Sequence, residues 1–300
     1  MYKRQLLEEV IEKTRFASLA RRLAFPAPKT VCSEEVHSAE EALQIISLPC
    51  FFKPKNQIRW KQSEVIQERG GKSYKGILAE DKASFKDVYQ KIKNSKSDFV
   101  IQEYIPGSDN SIYSFHAYFN RDAHPVAYFV GRKIRDFPKE YGHSTYLELI
   151  KNEEVVRLGI DILKRINYVG LVKIDFKRDI RTKQFYILEI NPRSTLWNYL
   201  GAVSGINLPL LAYRDIIGEP GEIPKDYRTD IRWLSFEEDV KGFLQEFHQG
   251  DSIGFWEWIL SYWHRKVYSV FAWQDPIPFV VACWFHGQSM LRRLKKRFMP

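Results

Sequence analysis

Cysteine is scarce. Cys32, Cys50 and Cys283 are the only three in 300 residues, too widely spaced for a disulfide framework or a zinc pattern, so a reducing compartment is the simplest inference. Long apolar runs are missing too. No window reaches the roughly eighteen residues of a spanning helix, and the opening MYKRQLLEEVIEK is charged where a secretory leader would be apolar. The expected location is cytoplasmic, with the inner face of the membrane as a candidate peripheral site. Internal repeats and low-complexity segments are absent. So is a nucleophile–base constellation, because His116, His124 and His143 are scattered. Negative charge falls short of positive: 37 Asp and Glu stand against 46 Lys and Arg. The resulting +9 favours nucleotide phosphates, acidic substrates, lipid headgroups or nucleic acid without choosing among them.

What is present is a globular composition, 44% hydrophobic and 28% charged, enough for one large domain or two smaller ones. Apolar spacing predicts helices over 3–23, 38–46, 84–92, 152–166 and 207–218. FPAPKT stops the first, since proline cannot continue a helix. PCFFKP (49–54), FVIQEYI (99–105), SIYSFHAYFN (111–120) and PVAYFVGRKIRDFP (125–138) read as strands. ERGGKSYKG (68–76) is a glycine- and lysine-rich loop. The mixture has no regular βαβ rhythm, which points to α+β or mixed α/β architecture.

Two segments carry chemistry. In FYILEINPR, Glu189 and Asn191 lie two apart on a strand and share a face. In YVGLVKIDFKRD, Asp175 sits in a run that otherwise reads as core, and RDIRTK reads as the turn of a hairpin joining the two strands. Paired this way, Asp175 and Glu189 occupy neighbouring strands. Two carboxylates and an amide are hard oxygen donors of the kind Mg²⁺ accepts beside phosphate oxygens and water. A polar strand end followed by an ordinary Asn-Pro turn is the plain alternative.

The order of these pieces resembles the ATP-grasp superfamily, and within it the carboxylate–amine ligase branch of D-aspartate ligase-like proteins. The pieces are a lysine-bearing helix, FFKP, a glycine-rich loop, VIQEYIPG, then Asp175 and EINPR, across roughly residues 10–218. The resemblance implies an α+β, ATP-grasp fold in which two lobes hold the nucleotide between antiparallel sheets. It implies a Mg²⁺-ATP-dependent ligase, with Mn²⁺ as a substitute metal. Such an enzyme activates a carboxylate as an acyl phosphate, joins it to an amine and releases ADP and phosphate. A non-catalytic nucleotide-binding or membrane-surface protein on the same fold is the rival.

Site roles follow by position. Lys13 and Lys53 match the lysines that neutralise ATP phosphates, Pro26 being the helix-ending proline. Gly70, Gly71 and Lys72, with Lys75 and Gly76, match the flap over the phosphates. Gln102, Glu103, Tyr104 and Ile105 match the hinge at the adenine edge, and Asp109 or Asn110 the ribose contact. Asp175, Glu189 and Asn191 match the metal ligands; many members carry glutamate at the place of Asp175. Arg193 matches an arginine that holds the transferring phosphate or the substrate carboxylate, and Arg132 and Lys133 are candidates for the γ-phosphate and acyl phosphate. YGHSTYLE (141–148) resembles a loop at the substrate pocket, which makes His143 and Ser144 candidates for substrate contact.

The implied division is an N-terminal lobe over 1–102 with its flap at 68–76, a C-terminal lobe with the metal site over 103–218, and a helical, aromatic and basic extension over 219–300. Complete members carry about a hundred further residues before this point. A second copy of the chain, or a partner chain, is expected to complete the acceptor side. Small-molecule carboxylate and amine substrates are expected, and no specific nucleic acid. The end, SMLRRLKKRFMP, groups Arg292, Arg293, Lys295, Lys296 and Arg297 beside apolar residues. It suits an anionic membrane surface or a nucleic-acid tail, unless it is simply a solvated helix end.

Overall fold

A computed structural model describes residues 4–55, 60, 66, 76–95, 98–138, 142–219, 221–249, 253–285 and 288. The helix expected over 3–23 is broken at Glu12, whose extended backbone (φ −81°, ψ 122°) separates α1 (Arg4–Ile11) from α2 (Lys13–Arg22). Local partners hold the break: the Thr14 hydroxyl donates to the Glu12 carboxylate at 2.8 Å, and the Lys55 ammonium lies 3.6 Å from it. Lys13 thereby begins a helix rather than sitting inside one.

The smaller sheet is built from β1 (Thr30–Cys32), β2 (Cys50–Pro54), β3 (Ile77–Ala79) and β4 (Phe99–Glu103), antiparallel in the order β1-β4-β2-β3. Helices α3 (Ala39–Ile45) and α4 (Lys82–Asn94) pack their apolar sides on one face. Ser38 caps α3 by accepting from the Glu41 amide at 3.1 Å, and Asp81 caps α4 with Ser84 in a capping box. Along β2, Cys50, Phe52 and Pro54 point into that core. The two-residue period sends Phe51 and Lys53 to the opposite face.

The larger sheet holds seven strands. They are β5 (Ile112–Phe119), β6 (Pro125–Phe137), β7 (His143–Ile150), β8 (Gly170–Arg178), β9 (Phe185–Asn191), β10 (Ile231–Leu234) and β11 (Arg265–Tyr268). Their order is β11-β10-β7-β6-β5-β8-β9, and only the β10–β11 pair is parallel. Phe115, Ala117, Val172, Ile174 and Ile187 face α5 (Glu153–Arg165) and α2. Phe129, Leu147 and Leu149 face α6 (Trp197–Val203) and α7 (Leu208–Ile216). The α+β architecture expected from the sequence is the one observed.

Two expectations are corrected. Of the segment 141–148, expected as a loop at a substrate pocket, residues 143–148 belong to strand β7 (His143–Ile150), hydrogen-bonded on both sides to β6 and β10. His143 pairs with Glu238 at 2.7 Å, and Ser144 is buried. Nor is the C-terminal extension purely helical, because it supplies β10 and β11 as well as α8 (Phe236–Gln249) and α9 (Phe255–Ser261). Asp239 of α8 fastens it to the sheet. This buried carboxylate accepts from Arg135 Nη2 (2.8 Å), Thr145 Oγ1 (2.7 Å), Trp258 Nε1 (3.0 Å) and the Tyr262 hydroxyl (2.6 Å). Burial alone would push the Asp239 carboxyl up; the Arg135 guanidinium and the hydroxyl donors outweigh it and hold the group low.

Candidate functional site

A cleft of about 530 Å³ lies among α1, α2, the smaller sheet and the end of β9. Its lining includes Lys13, Lys53, Gln102, Glu103, Glu189 and Asn191, six residues singled out from sequence. The volume lies in the range that holds a nucleotide-sized ligand.

Lys53 arrives from the cleft-facing side of β2. Its ammonium donates to Gln102 Oε1 at 2.5 Å, and Gln102 Nε2 donates onward to Thr30 Oγ1 at 3.1 Å. These neutral partners leave the charge poorly compensated. Burial is the main reason its pKa falls from 10.5 to about 8, with Lys13 and Lys177 adding repulsion and Glu189 opposing. Lys13 Nζ donates to the Pro54 carbonyl at 2.8 Å, and burial lowers its pKa too, against the pull of Glu189. Two under-compensated ammonium groups in one cleft form an electrostatic seat for an anion of several charges.

On the larger sheet, Asp175 stands directly opposite Glu189, and Lys173 opposite Asn191. Asn191 Nδ2 donates to Glu189 Oε1 at 2.9 Å. Asp175 is nearly enclosed. Ser114, its partner across β5, donates a short hydrogen bond to it, and Lys173 Nζ lies 2.9 Å away. Burial would raise the Asp175 carboxyl; Lys173, Ser114 and Lys133 reverse the sign and keep it ionised. The hairpin pairing read from the sequence is thus the observed register. Among the described residues no group of three His, Cys, Asp or Glu could hold a metal on its own. The donor set of two carboxylates and an amide suits Mg²⁺, which fills its remaining positions with phosphate oxygens and water.

The other expected residues divide. Lys133 lies on the Asp175 face, 3.4 Å from buried Asp136. Arg132 does not join it. As the residue just before it in β6, it points to the opposite face, where it pairs with Glu148 through Nε at 3.0 Å beside Tyr113. Arg193 is exposed just past β9; its guanidinium donates to the Ser194 carbonyl at 3.3 Å and its backbone amide to the Asn191 carbonyl at 2.9 Å. Tyr104 packs its ring on Phe51 at 5.4 Å with the Lys177 ammonium 4.8 Å from its centre, and Ile105 is buried next to it. Asp109 and Asn110 open a 3₁₀ turn, in which Asn110 Oδ1 accepts from the Ser108 hydroxyl at 2.8 Å. Gly70, Gly71, Lys72 and Lys75 lie outside the described residues.

Three members of the site were not singled out from sequence. Ser114 and Lys173 bracket Asp175, and His116 is buried between Phe129 (4.6 Å) and Trp197 (5.3 Å). Burial and the nearby Lys173 push the His116 pKa down to about 3, so the ring is neutral. The alternation of Lys173 with Asp175 signalled a shared face. Ser114 and His116 gave no local sign, because strand pairing alone brings them to the carboxylate.

Comparison with known proteins accords with this geometry. The ATP-grasp domain profile matches residues 12–196, more than half of the chain. D-aspartate ligase of Enterococcus faecium is 24% identical over 232 residues, which cover 75% of this chain and 54% of that protein. The chain therefore spans about half the length of the curated relative it matches. Among solved structures, the ADP complex of N5-carboxyaminoimidazole ribonucleotide synthetase superposes with a TM-score of 0.56 at 13% identity, covering 82% of this chain and 61% of that one. L-amino acid ligase from Bacillus licheniformis gives 0.51 at 15% identity, covering 75% and 52%. With its profile matched over β1 to β9 and its fold shared with these enzymes, the chain belongs to the ATP-grasp family.

Proposed function

We propose that the protein is a Mg²⁺-ATP-dependent carboxylate–amine ligase, forming a carbon–nitrogen bond and releasing ADP and phosphate. The observation that carries this reading is the facing of Lys13 and Lys53 toward Glu189 and Asn191 in one cleft, with Asp175 in register behind Glu189. The nucleotide would lie between the smaller sheet and the larger one, with α1 and α2, which pack on the core of the larger sheet, beside it. Lys53 and Lys13 bind its phosphates, and Glu103 lines the wall expected to meet the adenine. Asp175, Glu189 and Asn191 would hold the metal, which supplies Lewis-acid stabilisation of the transferring phosphoryl group.

A carboxylate attacking a polyphosphate brings two anions together. The exposed Arg193, whose guanidinium donates to a carbonyl, can meet that charge without giving up a carboxylate, whereas Lys133, on the Asp175 face, would first loosen its 3.4 Å pair with buried Asp136. Arg132, held by Glu148 on the other face, is left out of the proposed machinery. The substrates are a small-molecule carboxylate and an amine. A second copy or partner chain completing the acceptor side belongs to the same reading, and sedimentation with both substrates present would detect it. Among the described residues no helix is long and apolar enough to cross a membrane.

The test is a phosphate-release screen with Mg²⁺-ATP against pooled amino acids and cell-wall or capsule precursors. Release that requires a paired carboxylate and amine supports the ligase. ATP binding with no release under any pairing supports a nucleotide-binding protein instead.

A further inference from the structure

The eight tryptophans fall into two sets. Trp60, Trp197, Trp233 and Trp258 are buried, whereas Trp256, Trp263, Trp273 and Trp284 are between 67 and 89% exposed. All four exposed rings belong to the last part of the chain. They rise from an ordered base: Trp258 stacks on Phe243 at 4.4 Å and donates to Asp239, while Trp256, two residues earlier, faces solvent. Phe271 holds Trp273 at 4.9 Å and Phe279 at 5.4 Å, which fixes the following helical segment, 277–285, against the loop after β11.

That segment, IPFVVACWF, contains no charge, and Ile277, Val280 and Trp284 lie open along one side. A helix that is apolar all round ordinarily stands in an apolar medium. Nine residues rise only about 14 Å, against about 30 Å for the hydrocarbon core of a bilayer, so the segment cannot span one. It can lie in the interfacial layer, where tryptophan is favoured because its ring is apolar and its N–H polar.

Charge selects among occupants. Residues 256–300 carry Arg265, Lys266 and the five basic residues of 292–297 against two acids, Glu257 and Asp275. In sequence, the aromatic segment is followed by the basic run.

We propose that residues 255–285 form a docking surface for an anionic phospholipid bilayer. Trp256, Trp263, Trp273 and Trp284 enter the headgroup layer, and Arg265 and Lys266 meet lipid phosphates, with the basic residues of 292–297 adding positive charge to the same end of the chain. Each basic residue near such a surface contributes modestly, and the aromatic burial adds a salt-insensitive part. The inference is independent of the catalytic reading, since every residue assigned to nucleotide or metal precedes position 194.

The test uses the full chain with vesicles of phosphatidylcholine, alone or with about 30% phosphatidylglycerol as the anionic lipid. The protein should float with the anionic vesicles and its tryptophan emission should shift to the blue. Bromine-labelled acyl chains should quench that emission. Raising salt should weaken binding without abolishing it. The combined variant Trp256→Ala, Trp263→Ala, Trp273→Ala should bind at least about tenfold more weakly with unchanged circular dichroism and unchanged ATP binding. Deleting 288–300 should remove most of the salt-sensitive part and leave quenching by brominated lipid detectable.

Several outcomes overturn the proposal. One is no binding to anionic vesicles at low salt. Another is equal binding by the wild type and the triple variant, which would leave the basic cluster as the whole explanation. Displacement from vesicles by duplex DNA, without bromine quenching, would assign the surface to nucleic acid. Self-association that the tryptophan variants abolish, with no vesicle binding, would assign it to contacts between copies.

Discussion

Lys53 is a half-buried ammonium that donates to an amide oxygen, and that makes it a proton-linked reporter of anion binding. Its pKa of about 8 in the fold lies below the 10.5 of an ordinary lysine. Between those values the unfolded chain binds the proton that the native site gives up, so this group's contribution to stability rises with pH from about 8 to 10.5. A polyphosphate would supply the missing counter-charge and drive the pKa back up. Binding of Mg²⁺-ATP at pH 8.5 should therefore take up roughly three-quarters of a proton from this group. Calorimetry in buffers of different ionisation heat measures the uptake. Adenosine should show none, and Lys53→Met should remove most of it; uptake of equal size in that variant would clear Lys53 of the role.

The two metal-site carboxylates should behave differently, because their surroundings differ. Glu189 is exposed, with Asn191 as its near contact, so Glu189→Gln should abolish turnover and leave unfolding almost unchanged. Asp175→Asn should abolish turnover and also destabilise, since it strips the counter-ion from Lys173, whose side chain is 13% exposed. Breaking a buried pair this way costs about 3–5 kcal/mol, readable in denaturant titrations. A stable Asp175→Asn protein would mean that Lys173 finds another partner. Substantial turnover in either variant would dismiss the metal assignment.

At the scale of elements, β6 and α6 meet through the absence of a side chain. A Cβ placed on Gly131 would come within 2.5 Å of the Trp197 ring, which itself stacks on His116 and lies 5.0 Å from the Lys173 ammonium. Gly131→Ala should therefore push Trp197 and the start of α6 outward, loosening the wall behind Asp175. Overpacking of this kind costs about 1–3 kcal/mol, and fluorescence from Trp197 should change along with it. Gly242 in α8 is the contrasting case: its added Cβ would meet nothing closer than 3.6 Å. Gly242→Ala should stabilise by up to about 1 kcal/mol. Thermal unfolding of the two variants side by side checks both signs.

The same scale shows how far the chain's own order could be read. The β8–β9 hairpin was legible because a two-residue period and a polar turn mark both strands locally, although a register shift between Phe176, which pairs with Ile187, and Asp175 is what sets Asp175 opposite Glu189. β7 was not. Its first residues, His143, Ser144 and Thr145, look like a loop, and their partners Glu238 and Asp239 lie over ninety residues away. β11 likewise becomes a strand only by pairing with β10, and Glu12 broke a well-patterned helix through contacts with Thr14 and Lys55. Local periodicity reached the metal-ligand strands, while Ser114 and His116 depended on the pairing of β5 with β8.

Across the whole molecule, the residues assigned to the nucleotide and metal come from structures with separate cores. One buried cluster lies under the smaller sheet around Phe52 and Phe85, and the larger sheet carries others on its two faces. Lys53 and Gln102 belong to the first; Asp175, Glu189 and Asn191 belong to the second. A ligand that contacts both must couple their opening. Mg²⁺-ATP at a hundred times its Kd stabilises the native chain by about 2.7 kcal/mol, a rise in Tm of roughly 5–10 °C. Amide exchange should slow in β2 and β4 and also in β8 and β9, even though neither pair of strands touches the other's core. Adenosine, lacking phosphates, should protect β4 alone and raise Tm less. Lys53→Ala should reduce the ATP effect to the size of the adenosine effect while leaving the latter intact. Equal loss of both would make Lys53 a structural residue of the smaller sheet. Protection by Mg²⁺-ATP confined to one sheet would mean that the nucleotide does not bridge the cleft, and the site would have to be sought on that sheet alone.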